Sequence, residues 1–282
     1  MSDLSSSSAD PSPAESPFVF AYVPPPELAE GQRWSTWDDI GVLTGPEPYP
    51  EWLITDSGAV DTELGLLKTG KEADVFVLDR STADRSVLLA AKRYRSPDHR
   101  LFHRDASYTE GRRIRRSRDR RAAAKGTRWG RTVQAGAWAL AEFGYLATCW
   151  SAGLPVPYPV QLDGTELLVE LITDRNGAPA PRLAQSRPEP DLLAAYWFQL
   201  TEAMRTLARL GLAHGDLSAF NLLAASDRLV IIDLPQAVDV VANPHGMDFL
   251  ARDCRNVAQW FRARGLGVDG EELLAELAGL VW

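Results

Sequence analysis

The sequence predicts an α+β protein of two lobes, a strand-rich amino-terminal lobe and a reduced, helical carboxy-terminal lobe, with a cleft between them. Three observations predict it. The segments "LGLLKTGKEADVFVLD" and "SVLLAAKRYR" are short, apolar and separated by turn residues, the pattern of strands joined by hairpins. Before residue 172 a single helical pattern interrupts the strands, whereas beyond about residue 185 the long periodic segments are helical. A Gly- and Pro-containing linker, "GAPAPRL", falls between the halves, with the boundary near residues 172–185. A cleft between unlike lobes is a common place for a ligand.

Taken in order, the elements are these. Residues 1–30 open with "MSDLSSSSADPSPAESP", which is acidic and rich in Ser and Pro. They predict a disordered tail, and without the basic and apolar regions of a secretion signal they point to a cytoplasmic protein. Residues 31–59 read as an extension packing on the body, with "WSTWDDIGVL" as a short helix. The body spans 60–282, with an N-lobe over 60–172 and a C-lobe over 173–282. Strand, Gly turn and strand fill 64–79, and "SVLLAAKRYR" is a third strand. Segment 96–131 has no apolar period and reads as a loop. Helical spacing returns over 133–152 and ends at Gly153, Pro155 and Pro157. "YPVQLDGTELLVELI" reads as a hairpin turning at Asp163-Gly164. An amphipathic helix runs from Asp191 to Leu210 and stops at Gly211, and two more occupy about 246–264 and 270–281.

Composition excludes some classes of function. Apolar residues make up 45% of the chain and charged residues 24%, values of an ordinary globular protein. No apolar run reaches the roughly 18 residues that span a membrane. Two cysteines, Cys149 and Cys254, and four scattered histidines build no zinc pattern, and both cysteines read as buried thiols.

The chemistry concentrates in "AHGDLSAFNLL" and the following "RLVIID". Asp216 and Asn221 fall on a loop and Asp233 ends a short buried strand. A surface turn would use similar residues, but a carboxylate after Val230-Ile231-Ile232 is costly unless a metal or partner compensates it. Phosphoryl transfer from a nucleotide needs such a set: one carboxylate to orient the acceptor or take its proton, and an amide and a second carboxylate to hold magnesium against the phosphates. Asp216 suits the first role, Asn221 and Asp233 the second. Lys92, on the third strand, suits contact with phosphates, and Glu142 is the only acid between Val133 and Trp150 that could hold it. "KTGKEADVF" lacks the glycine spacing of a P-loop, so a plain hairpin turn and a backbone approach of Gly70 to phosphate both remain open.

In the order in which they occur, "TGKEADVF", "AAKRYR", "LLVELITDRNGAPAPRL", "HGDLSAFN", "IIDLPQAV" and "NPHGMDFLARDCRNV" resemble the RIO family of atypical serine/threonine protein kinases, most closely its first subfamily, over about residues 60–265. The resemblance implies a two-lobed protein-kinase-like fold without an activation segment, ATP as substrate, and Mg2+ or Mn2+. It places Lys92 on the phosphates and in a pair with Glu142, and Asp216 as the catalytic acid/base. It gives Asn221 and Asp233 the metal, Glu170 and Ile172 the adenine through their backbone, and Thr69, Gly70 and Lys71 the phosphates. It also implies that Asp233 accepts phosphate transiently, so that ATP hydrolysis can replace protein phosphorylation. The chain departs from the family pattern at Lys68-Thr69, where Ser usually precedes the loop Gly, at Asp74 for Asn, and at Pro235-Gln236 for a Ser-Gln pair. Ser218 stands where ordinary protein kinases carry Lys, in agreement with the family and with small-molecule kinases alike. The 49 residues after Asp233 leave no room for a conventional peptide-docking lobe.

The net charge is −8, yet Lys92–Arg131 carries 15 Lys or Arg against 4 Asp or Glu. A solvated loop is the ordinary fate of such a run. The alternative is a contact of segment 96–131 with RNA or a ribosomal subunit, with Trp129 available to stack on a base and with a strong salt dependence. RIO relatives in other cells act in small ribosomal subunit assembly, which raises the RNA reading. Three functions follow: a Mg-ATP-dependent serine/threonine kinase acting on itself or on proteins; an ATPase switch in ribosome or RNP assembly working through a phospho-aspartate; and a small-molecule kinase of the aminoglycoside or choline type, which shares "HGD…N…D". The segments "GAPAP" and "TGKEAD" argue against the third.

Overall fold

A computed structural model describes residues 27–95, 128–234 and 237–281; the side chains of 128–133 are outside the description. The predicted tail (but for 27–30), nearly all of the basic loop, the Trp129 side chain and the Pro235-Gln236 pair therefore lie outside the description. Contacts group Gly31–Trp282 as one unit, separate from Met1–Glu30.

Seven strands form one antiparallel sheet. They are β1 (Gln32–Trp34), β2 (Leu43–Thr44), β3 (Val60–Thr69), β4 (Ala73–Ser81), β5 (Ser86–Tyr94), β6 (Pro159–Asp163) and β7 (Glu166–Glu170), in the order β1-β3-β4-β5-β7-β6-β2. The order forces a curl. Seven flat strands would put β1 and β2 about 29 Å apart, a distance that nine fully extended residues would barely span at about 30 Å. The connection is far from extended, because Asp39 N–H bonds Thr36 O and Val42 N–H bonds Asp39 O. The sheet therefore bends, and the Gln161 amide reaches the Thr36 hydroxyl at 2.8 Å.

The short helix expected over 34–43 is absent for the same reason. Strand pairing claims both of its ends, Trp34 on β3 and Leu43 on β6. Of its two tryptophans only Trp37 is buried, its ring edge-on to Tyr49 at 5.5 Å between centroids. The β6–β7 hairpin turns one residue later than expected, at Gly164-Thr165, with Gly164 at φ 56°.

Helix α1 (Arg128–Ser151) starts inside the segment read as loop, because helical structure extends past the first apolar-periodic residue. It packs Ala139, Phe143 and Leu146 into a core shared with the C-lobe. That lobe contains α2 (Pro190–Arg209), β8 (Leu212–Ala213), the hairpin β9 (Leu222–Ala225) and β10 (Arg228–Ile231), β11 (Val238–Asp239), α3 (Gly246–Arg262) and α4 (Gly270–Ala278). Pro190 opens α2 and Gly211, at φ 71°, follows its end, as the residue preferences of helix termini dictate. Asp269 caps α4, accepting the Glu271 N–H at 2.7 Å. Leu200, Leu207, Phe249 and Phe261 complete the shared core. Cys149 and Cys254 are free and fully buried, and burial pushes their thiols up to about 11 and about 12. No helix among the described residues is long and apolar enough to cross a membrane.

Candidate active site

A cleft of about 1080 Å³ lies between the sheet and the C-lobe. Gly70, Lys71, Lys92, Glu142, Glu170, Ile172, Asp216 and Asp233 all line it. Residues far apart in sequence meet here because three elements converge. β5 carries Lys92, α1 carries Glu142 behind it, and the chain leaving β10 carries Asp233 in front. Lys92 Nζ donates to the two Glu142 oxygens at 2.8 and 2.7 Å and to Asp233 Oδ1 at 3.1 Å.

Burial works against the Lys92 charge, but Glu142 and Asp233 outweigh it and hold the ammonium above its ordinary value. Burial likewise favours protonated Asp233, yet Lys92 beside it wins and holds the carboxyl below its usual range. One ammonium shared by two carboxylates leaves the cluster negative, an arrangement that favours a further cation.

Asp233 lies two residues beyond β10 rather than at its end, at φ 68°, a backbone region that non-glycine residues seldom occupy. The neighbouring Ile232 is fixed from both sides: its N–H bonds Asn221 O at 3.0 Å, and its carbonyl lies 3.0 Å from His214 Nε2. Strain held in place by surrounding bonds is characteristic of functional sites.

From Leu212 to Leu217 only Asp216 is exposed. Its carbonyl accepts the Asn221 Nδ2 at 2.8 Å, which sets the amide beside it, and its N–H points to His214 Nδ1 at 3.3 Å. The latter bond makes Nδ1 an acceptor, so the ring proton sits on Nε2 and donates to Ile232. Asn221 is buried, at the end of a 3₁₀ turn just beneath the cleft lining.

Asp253 on α3 anchors the whole loop. Buried to 1% exposure, it accepts the N–H groups of Gly215 and Leu217, both at 2.8 Å. Arg252 donates to the Gly215 carbonyl and Asn256 to that of Leu217. Leaving two such buried N–H groups unpaired would cost about 1–3 kcal/mol each. Sequence reasoning missed Asp253; the spacing of Arg252, Asp253 and Asn256 on one helical face was the available signal.

The turn after β3 is tight. Gly70 N–H bonds the Ala73 carbonyl at 2.9 Å, and a Cβ at Gly70 would meet that oxygen at 2.9 Å. That N–H is thus already used, and what Gly70 offers a ligand is close approach. Thr69 pairs across with Asp74, bonds to its side chain and stays out of the lining. At the hinge the Glu170 N–H bonds Tyr158 O at 2.9 Å and the Ile172 carbonyl accepts from Ala180. Val75, Ala90, Leu146, Val169 and Leu223 supply an apolar lining there. Two cations not foreseen from sequence, Lys68 and Arg182, complete the walls.

Residues 86–273 match the RIO domain family. Over 81% of its length the chain is 38% identical to the RIO-type serine/threonine-protein kinase Rio1 of Haloferax volcanii, covering 73% of that protein. It is 29% identical over 81% of its length to the human serine/threonine-protein kinase RIO3, and 33% identical over 76% to RIO1 of Caenorhabditis elegans. It covers only 44% and 40% of those two longer proteins. The match encloses Lys92, Glu142, Asp216, Asn221 and Asp233, and the chain belongs to the RIO family, whose named relatives are serine/threonine protein kinases.

Proposed function

We propose that this protein transfers the γ-phosphate of ATP to serine or threonine hydroxyls, on itself or on other proteins. The observation that carries this reading is Lys92, bonded at once to Glu142 and Asp233 inside a cleft walled by the hinge. Lys92 contacts the phosphates and Glu142 holds it in position. The backbone of Glu170 and Ile172 faces the base, and the turn Thr69–Lys71 covers the phosphates. Asp216, exposed on a loop clamped by Asp253, orients the acceptor hydroxyl and takes its proton.

The residues fit a divalent cation. Asn221 and Asp233 offer hard oxygen donors, and the described residues hold no group of three or more His, Cys, Asp or Glu that would form a complete protein cage. Mg2+, with Mn2+ as the substitute, suits such a partial donor set because it keeps waters and phosphate oxygens as its other ligands. Bound there, it neutralises phosphate charge. Asn221 and Asp233 would hold the ion, while Glu142 keeps Lys92 in place.

The short path from Asp233 to α3, residues 234–245, favours a second reading, since it leaves no activation segment to dock a peptide. In that reading the Asp233 carboxylate attacks the γ-phosphorus, ADP leaves, and water then releases phosphate.

Incubation with Mg2+ and γ-labelled ATP, with Asp216→Asn alongside, tests both. Acid-stable label on Ser or Thr, reduced on the order of 10³-fold in the variant while ATP binding persists, is the expected result. Base-labile label with mostly free phosphate selects the second reading. Undiminished turnover in Asp216→Asn overturns the assignment of Asp216.

A further inference from the structure

The roles above leave Lys68 and Arg182 without a partner charge. They face the cleft from opposite walls, Lys68 from β3 and Arg182 from the segment after the hinge, and neither forms an ion pair among the described residues. The sheet register explains how Lys68 reaches the cleft. Leu66 pairs with Phe76 and Lys68 with Val75, so Leu67 is an extra residue, a bulge. Val75 pairs in turn with Lys92. Directly paired residues share a face, so Lys68, Val75 and Lys92 form one row on the side where Lys92 meets Glu142 and Asp233. Lys68 sits two strands, about 10 Å, from Lys92. Without the bulge, alternation would turn Lys68 to the other face of the sheet.

Arg182 is pinned from the opposite side. Its guanidinium donates to the carbonyl of Phe220, next to Asn221, and its backbone bridges to Leu223. Burial pulls both cations below their ordinary values, Arg182 adds repulsion at Lys68, and Asp233 draws both back up. The two charges thus converge on the region of Asp233, where they repel each other and form no ion pair among the described residues. A multiply charged anion placed there satisfies both.

Resting on the ATP reading, we propose that Lys68 and Arg182 clamp the terminal phosphate of the nucleotide from opposite walls, so that the pair discriminates a triphosphate from a diphosphate and holds the transferred group before Asp233. The bulge at Leu67 is the device that aims one arm of this clamp.

The test is titration of the full chain, in Mg2+, with ADP and with a non-hydrolysable ATP analogue. Wild type should bind the triphosphate more tightly. Lys68→Met and Arg182→Met should each weaken triphosphate binding about tenfold and leave ADP nearly unchanged, which also shows that the variants are folded. Lys68→Arg should keep the preference. Equal losses for both nucleotides, or none for either, would overturn the clamp and leave the ATP reading intact. A wild type that binds neither nucleotide would overturn both.

Discussion

Lys92 carries two dependencies at once. Its side chain keeps the Glu142 carboxylate, only 4% accessible, from being a buried charge without a partner. It also holds Asp233 until a ligand arrives. The two contacts separate in stability measurements. Lys92→Met strands Glu142 and should cost about 3 kcal/mol, read from urea midpoints, whereas adding Glu142→Leu to that variant should recover most of the loss. A double variant no more stable than the single one would mean that Glu142 is not the source of the cost. The pairing was legible in the sequence through the order of motifs and the family resemblance, since a strand Lys and a helical acid by themselves say little. The positive φ of Asp233 was not, because backbone strain is imposed by the bonds around Ile232, whose partners His214 and Asn221 lie elsewhere in the chain.

Among the elements, the curled sheet is tied by charges that link strands distant in its order. Glu166 on β7 receives Arg33 from β1 and, at 2.6 Å, Arg93 from β5, while Arg93 also reaches Glu63 on β3 at 2.6 Å. Burial pushes Glu166 up, but the two guanidiniums prevail and hold it below the ordinary carboxylate value. A lowered folded-state value means that this contribution is present above the unfolded-state pKa and is lost as pH falls through the folded one. Glu166→Gln should therefore cost about 1 kcal/mol at pH 7, with the gap to wild type closing below about pH 4. Unfolding midpoints between pH 7 and 3.5 check it, and a gap that widens on acidification would refute the strap. Strands β3–β7 and β10 and helices α1–α4 followed from periodicity to within a few residues, while the helix expected over 34–43 did not form. The strap, the curl and the bulge at Leu67 did not follow from it, because each depends on which strands become neighbours.

At the scale of the whole molecule, the cleft sets a sheet against a helical lobe, joined by the hinge, the shared core and the bond from Lys92 to Asp233. A ligand that touches both walls stabilises both. Mg-ATP at 100 times its dissociation constant should add about 2.7 kcal/mol, a rise of roughly 5–10 °C in Tm. Chelating the metal should remove most of that gain, since the triphosphate would then face the Asp216 and Asp233 carboxylates with no divalent ion between them. A rise unchanged by chelator would contradict the metal role of Asn221 and Asp233.

What could be read along the chain was order and spacing: strands, a lysine, a helical acid, a hinge, then Asp216, Asn221 and Asp233. Those features are local, set by periodicity, by turn residues and by the types of side chain that phosphate chemistry requires. What waited for the fold was everything that needs two distant segments at once: the turns that replaced the expected helix after Trp34, the grip of Asp253 on the Asp216 loop, and the arrival of Lys68 and Arg182 on facing walls. Such features come from strand register and helix packing, where one inserted residue reverses a side chain and one buried carboxylate fixes a loop.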